Sequence, residues 1–350
     1  MKRLPISFAL ITSLLFVNFC FAQESLPVAK YLSTITAPEP IMRISPKYPI
    51  NAAKQRREGW AIFSFVIDEE GKVQDVIVKD SSGSIDMTKA AKKAVKQWQY
   101  KPALVNGKPI QQCVNTVQMS FKMNKNGTTG VYKKFRSKYK SAIAALENKD
   151  YKEVERLLTL MKKNKYMHLS ENNYMHLLAA DYAADLGDKE QRLFHLSKAA
   201  INAVTRNEEQ QMAVLYQVFI LEVELQKYQA AYETYEKLTA LEVAKPYITK
   251  LEKVITQIND AISGDKNIVI AANLDDSDHW STALVRNEFS LSNIEGSLHT
   301  LDVRCANKRH QYTVENNNTW TIPSTWEDCS IYVYGEKNTR FNLIEHPLRG

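Results

Sequence analysis

One pattern returns three times in the middle of this 350-residue chain. It reads Lys149-Asp150-Tyr151-x-x-Val154-x-x-Leu157-Leu158, then Gly187-Asp188-Lys189-x-x-Arg192-x-x-His195-Leu196, then Gln226-Lys227-Tyr228-x-x-Ala231-x-x-Thr234-Tyr235. The third positions lie 38 and 39 residues apart. A repeat of that length supplies a pair of helices that cannot bury its apolar face alone, so copies must stack. Residues 131–262 are therefore expected to be helical throughout. Ala179, Ala180 and Ala183 fall where neighbouring helices approach closely, and a last helix over 246–262 closes the stack.

The repeats resemble tetratricopeptide-type repeats, with a slightly longer period. The resemblance implies either a concave surface for other proteins or a spacer between the flanking units.

The N-terminus points to export. Lys2 and Arg3 precede an apolar stretch over 4–21, and Ala22 sits at a small-residue cleavage position before Gln23-Glu24. This is a secretory signal pattern over residues 1–22, and an uncleaved signal anchor is the other reading. Residues 23–42 hold Pro27, Pro38 and Pro40 and read as an extended linker. A linker of about 20 residues reaches on the order of 70 Å.

A folded unit follows over 43–123. Residues 51–57 suit a short helix. Trp60, Ile62, Ser64 and Val66 alternate with Ala61, Phe63, Phe65 and Ile67, which suits a strand covered on both sides. A turn at 68–71 leads to a strand over 73–78, broken by Ser81-Ser82-Gly83-Ser84. Residues 86–99 read as an amphipathic helix. Ala90, Ala91, Ala94, Val95 and Trp98 form its apolar face, and Lys89, Lys92, Lys93 and Lys96 lie opposite. After a turn at Asn106-Gly107, residues 112–123 form the last strand. Strict alternation puts Val114, Thr116, Gln118 and Ser120 on one side, and Asn115, Val117, Met119 and Phe121 on the other. The order is β-β-α-β.

These residues carry a second resemblance. Tyr48-Pro49, Gly59, Gly71-Lys72-Val73, Ser82-Gly83, Asp86, Ala90-Ala91, Val95, Trp98-x-Tyr100-x-Pro102, Gly107 and Phe121 together resemble the C-terminal domain of TonB family proteins. The run before Tyr48 reads Ser45-Pro46-Lys47, where the family often has Gln-Pro-x. The resemblance implies docking on TonB-dependent outer-membrane receptors, whose TonB-box segment adds as a strand to the sheet edge. It assigns that edge to Cys113, Val114, Asn115, Thr116, Val117, Gln118, Met119, Ser120 and Phe121. It assigns a second contact region to Lys47, Tyr48 and Pro49. Inner-membrane energising proteins are further partners it implies.

The unit is also the basic part of the chain. Residues 43–122 hold fourteen Lys/Arg against seven Asp/Glu, which accounts for the whole net charge of +7. Either a polyanion partner or a solvated lysine face accounts for it.

Residues 267–350 alternate short strand-like runs with turn formers. The runs fall at 268–271, 284–291, 298–305, 311–314, 319–322, 330–334 and 341–344, and suggest a small antiparallel sandwich or barrel. Cys305 and Cys329 are a candidate disulfide in an oxidising compartment, which leaves Cys113 buried or intermolecular. The fold class expected is multidomain α+β: a β-β-α-β unit, helical repeats and a small all-β unit.

No catalytic or cofactor pattern emerges. No His stands at i, i+4 from another His or Cys, and Gly-x-Ser-x-Gly is absent. Asp275-Asp276-Ser277-Asp278 lacks the glycine and glutamate of a calcium loop. Neither metal, cofactor nor enzymatic activity is expected, and export disfavours nucleic acid. Two functions stay open. One is a periplasmic receptor-binding protein in TonB-dependent, energy-coupled uptake, anchored to the inner membrane if the signal is retained. The other is a periplasmic scaffold that holds envelope proteins through its repeats and transmits no force.

Overall fold

The computed structural model describes residues 35–123, 130–164, 167–201, 207–275, 277–315 and 318–347. The expected signal peptide and most of the expected linker lie outside the described residues. The architecture is mixed α+β, with a β-rich first region, a helical middle and an all-β end.

The first region contains β1 (Ile35–Thr36), β2 (Glu39–Met42), α1 (Ile50–Lys54), β3 (Gly59–Ile67), β4 (Val73–Ser81), α2 (Ile85–Val95), β5 (Gln99–Lys101), β6 (Ala103–Val105), β7 (Lys108–Ile110) and β8 (Gln112–Phe121). Its main sheet is antiparallel in the order β4-β3-β8. Ala61, Phe63, Phe65 and Ile67 meet Met87, Ala91 and Val95 of α2 in one core. The stretch expected to be linker is extended but not detached. β1 pairs with β6, and β2 pairs with β5. The helix expected over 86–99 stops at Val95, because Gln99 to Lys101 gain strand partners in β2.

The middle region is a series of helix pairs: α3 (Lys133–Glu147) with α4 (Tyr151–Lys162), α5 (Leu169–Asp185) with α6 (Lys189–Ile201), and α7 (Glu208–Glu224) with α8 (Tyr228–Thr239). A 3-10 turn (Glu242–Tyr247) holding Pro246 leads into α9 (Ile248–Ser263). The repeat recurs in the backbone. Lys149, Gly187 and Gln226 all have positive φ, at 57°, 70° and 57°. Each ends its helix with the same pair of bonds. The outer one runs from Asp150, Asp188 or Lys227 N–H to the carbonyl of Ala145, Ala183 or Glu222. Asp150 and Asp188 also cap the next helix, accepting from Glu153 and Gln191 N–H at 3.2 and 3.0 Å.

The last region holds β9 (Ile268–Asn273), β10 (His279–Ala283), β11 (Glu288–Glu295), β12 (Leu298–Arg304), β13 (Arg309–Thr313), β14 (Thr319–Thr321), β15 (Ser330–Gly335) and β16 (Arg340–Glu345). Two antiparallel sheets, β10-β15-β12-β13 and β14-β11-β16-β9, share one core of Phe289, Leu301, Val303, Ile331, Val333, Phe341 and Leu343. Cys305 and Cys329 are disulfide-bonded between the end of β12 and the start of β15. Of the strand expected over 284–291, only 288–291 is strand, as the start of β11, and 284–287 is the connection from β10. Arg286 explains the break. Its buried guanidinium donates to the carbonyls of Ala261, Ile262, Gly264, Lys266 and Glu345 at 2.7–3.1 Å. It thereby satisfies the last turn of α9 from the sandwich.

Glu222 stands where the earlier repeats have Ala145 and Ala183. It is buried, and burial pushes its carboxyl up to about 7. The folded chain therefore holds that proton more tightly than the unfolded chain, where the carboxyl keeps its ordinary 4.5. Stability from this group is complete below pH 4.5 and lost as pH rises through about 7. Glu222→Gln is expected to remove this slope and to raise stability at pH 8 by on the order of 2 kcal/mol. Urea denaturation at pH 5 and pH 8 checks both points.

Candidate partner-binding edge

Sheet order places β8 at an edge, and among the described residues no strand pairs with its outer side. Its pairing with β3 contains a bulge. Phe63 lies opposite Val117 and Phe65 opposite Val114, so Asn115 and Thr116 together face Ser64. This corrects the strict alternation expected from sequence. Val114 joins Val117, Met119 and Phe121 against the core, whereas Cys113 pairs with Val66 on the opposite face. Thr116, Gln118 and Ser120 are exposed.

Tyr48 connects the two regions assigned from sequence. Its ring meets Phe121 edge-on at 5.4 Å, and its hydroxyl donates to the Arg57 carbonyl. The second contact region thus abuts the C-terminal end of β8. Pro49 is the N-cap of α1, its carbonyl accepting from Ala53 N–H at 2.9 Å, and Lys47 is exposed.

The Trp-x-Tyr-x-Pro run supports the sheet from below. Trp98 Nε1 donates to the Ile44 carbonyl at 2.8 Å, and Arg43 Nε donates to Tyr100 Oη at 3.0 Å. The Arg43 guanidinium also lies 5.2 and 5.3 Å from the ring centroids of Trp98 and Tyr100. These contacts draw the segment before α1 onto the domain. Tyr100 also fixes the β3–β4 turn, since its N–H donates to the Gly71 carbonyl at 2.9 Å. Gly71 has φ +80°, and a Cβ there would stand 1.8 Å from the Tyr100 carbonyl oxygen.

The opposite edge and the second face are occupied. At both ends of β4, carbonyls accept from other regions: Asp75 from Arg304 Nη1 at 3.0 Å, and Ser81 from Lys198 Nζ at 3.2 Å. Lys198 also pairs with the Asp80 carboxylate and lies 5.3 Å from the Trp60 ring centroid. Asp302, fully buried, accepts from Arg304 Nε at 2.9 Å and from Arg309 Nε and Nη2 at 2.8 and 2.9 Å. Arg309 also pairs with the Asp75 carboxylate. The Arg304 guanidinium stacks 5.0 Å from the Tyr332 ring, whose hydroxyl end lies against Ser64. The Cys113 thiol donates to the Lys308 carbonyl at 3.8 Å. Burial pushes that thiol up to about 11, so it stays protonated and inert.

Sequence reading missed this cover. Asp302 and Arg304 alternate with Leu301 and Val303, which reads as a solvent-facing side. The two buried faces of β3 were the one available sign that something lies over the sheet. Among the described residues no three His, Cys, Asp or Glu side chains gather as a metal site. Among them, no helix is long and apolar enough to cross a membrane.

Residues 44–123 match the family model for the Gram-negative bacterial TonB protein C-terminal. The segment is TonB-like. Protein TonB of Vibrio cholerae serotype O1 is 27% identical over 81 residues, 23% of this chain and 33% of that protein. The chain thus spans about one third of the length of this curated relative. The solution structure of the Pseudomonas aeruginosa TonB C-terminal domain is 26% identical, covering 26% of this chain and 90% of that one, at a TM-score of 0.24. The TonB2 protein of Vibrio anguillarum is 31% identical, covering 35% and 100%, at a TM-score of 0.21.

The contact at Gly71 gives a direct check on the support beneath the TonB-like sheet. Gly71→Ala must adopt a left-handed backbone and push into Tyr100. It is expected to cost more than about 2 kcal/mol in chemical denaturation, as strain without compensation does. Gly107→Ala is the comparison: that glycine also has positive φ, but nothing lies within 4 Å of its added Cβ.

Proposed function

We propose that the chain is a periplasmic protein that grips TonB-dependent outer-membrane receptors by strand addition and takes part in energy-coupled uptake. The TonB-box segment of a receptor pairs with the outer side of β8, from Cys113 to Phe121, while Lys47, Tyr48 and Pro49 form the flanking contact. One observation carries this reading: the segment matching the TonB C-terminal family presents β8 as a sheet edge with no described strand on its outer side. Backbone hydrogen bonds would supply most of the affinity. In the same reading residues 1–22 direct export and 23–42 precede a receptor-binding unit over 43–123. Residues 131–262 and 267–350 form two further units. If residues 1–22 are retained, the protein is held at the inner membrane near the energising proteins.

Proline substitution tests the edge. Successive residues of an antiparallel strand point their N–H groups alternately toward the neighbour and away. Val117→Pro and Gln118→Pro therefore form a matched pair, one disrupting the bond to β3 and the other only the outer side. The full chain is titrated with a labelled TonB-box peptide, with circular dichroism as the check on folding. The variant that keeps the native spectrum is expected to lose binding at least tenfold. Unchanged binding in both variants would remove β8 as the edge.

A scaffold function rests on a different observation. An open cavity of about 320 Å³ lies between α4, α5 and α6, lined by Leu158, Ala179, Tyr182, Leu186, Gln191 and His195 among others. Leu186 is exposed beside it. Leu186→Asp is expected to abolish retrieval of envelope proteins by the full chain and to leave TonB-box binding unchanged. Retrieval that survives this substitution would exclude the cavity as a docking groove.

A further inference from the structure

The side of α2 that faces away from the sheet is built differently from an ordinary solvated helix face. At about 100° per residue, Ile85, Lys89, Lys92, Lys93 and Lys96 fall within one stripe. Met87, Ala91, Ala94 and Val95 are buried on the opposite side, against the core. Lys89, Lys93 and Lys96 are exposed, and none of these three is in an ion pair with the described residues, whereas Lys92 is half-buried and its charge acts on the Asp278 carboxylate. Other surface helices pair some of their charges, as Glu153 with Arg156 and Lys189 with Glu224, and α3 shares the unpaired lysines but has no exposed aliphatic residue at their head. At the head of the stripe stands Ile85, 71% exposed. Asp86 beside it is held by Arg57, whose guanidinium donates to both carboxylate oxygens. That pairing takes the acidic residue of the first turn out of the field of the stripe.

The wider charge distribution points the same way. The region 43–122 carries the entire net charge of +7, and the rest of the chain is neutral. The other face of the TonB-like sheet lies under the last region. A row of unpaired lysines led by an exposed isoleucine suits an anionic lipid surface: headgroup phosphates meet the ammonium groups, and the branched apolar side chain enters the interfacial layer. A polysaccharide or nucleic acid polyanion would use the lysines but leave Ile85 without a role.

We propose that the outer face of α2 docks this protein on anionic phospholipid membranes through Lys89, Lys93 and Lys96, with Ile85 as the apolar anchor. The site is separate from β8 and does not depend on receptor binding. The stripe is a feature of side chains projecting from a helix whose packing face is elsewhere, so charge reversal there leaves the core intact.

Vesicle co-sedimentation of the full chain tests the proposal, with phosphatidylglycerol–phosphatidylcholine vesicles against pure phosphatidylcholine at 50 and 300 mM salt. Pure phosphatidylcholine reports binding by the apolar N-terminal residues, which charge on α2 does not affect. Each lysine near an anionic surface is worth about fivefold, so K89E/K93E/K96E is expected to lower affinity for the anionic vesicles at least 100-fold. Lys→Arg at the same positions retains binding, high salt weakens it, and Ile85→Ser lowers it severalfold. A native circular dichroism spectrum shows that each variant is folded, and K89Q/K93Q/K96Q replaces any that is not. Equal binding of wild type and charge-reversed protein to anionic vesicles would overturn the proposal. So would binding to isolated peptidoglycan with none to vesicles, or an Ile85→Ser variant that binds as wild type does.

Discussion

Asp302 and the two arginines that hold it join the last region to the first. The carboxylate is fully buried and satisfied by Arg304 and Arg309, which reach on to the carbonyl and carboxylate of Asp75 in β4. A buried cluster of this kind contributes little net stability, because desolvation offsets the attraction. Pulling the sandwich from the TonB-like sheet leaves Asp302 paired with Arg304 and Arg309, which lie in the same region, but takes from both arginines their contacts with Asp75, which need donor and acceptor in one relative position. The contact is therefore strongly specific in register, and the position of the last region over β3 and β4 follows from it.

Smaller joints of the same chemical kind tie the other regions. The Glu58 carboxylate accepts from Met123 N–H at 2.9 Å and from Leu169 N–H at 3.5 Å, so one side chain spans the end of the first region and the start of α5. Gln226, in the turn of the third repeat, accepts from Val269 N–H at 2.9 Å on β9. Arg286 closes the last turn of α9. In each case a polar side chain from one region satisfies a main-chain group at the end or edge of another. Apolar packing builds each core, and these polar contacts set how the cores meet.

What the sequence disclosed and what it withheld divide along that line. The repeat spacing was legible because the same left-handed cap returns at 149, 187 and 226, and each needs its local residues only. The β-β-α-β order was legible from alternation, and Trp98-x-Tyr100-x-Pro102 marked the segment's kinship. The bulge at Asn115 and Thr116 was not legible, since two apolar residues three apart, Val114 and Val117, look like a break in pattern until β3 is laid beside them. The burial of Asp302 and Arg304 was hidden for a related reason. Polar alternation in a strand reports that a side is not greasy, and says nothing of whether water is there. Arg286 falls within an expected strand, and only the distant end of α9 explains why the chain turns at that point.

The asymmetry of the TonB-like sheet has a consequence in the language of polymer chemistry. A sheet with two available sides is a bifunctional monomer: it can accept a strand at each and propagate into a fibre. Here β4 is plugged at both ends by Arg304 and Lys198, while β8 is not. That sheet is thereby monofunctional. A strand that added to this sheet would do so on the β8 side, and the sheet itself offers no second site from which growth could continue.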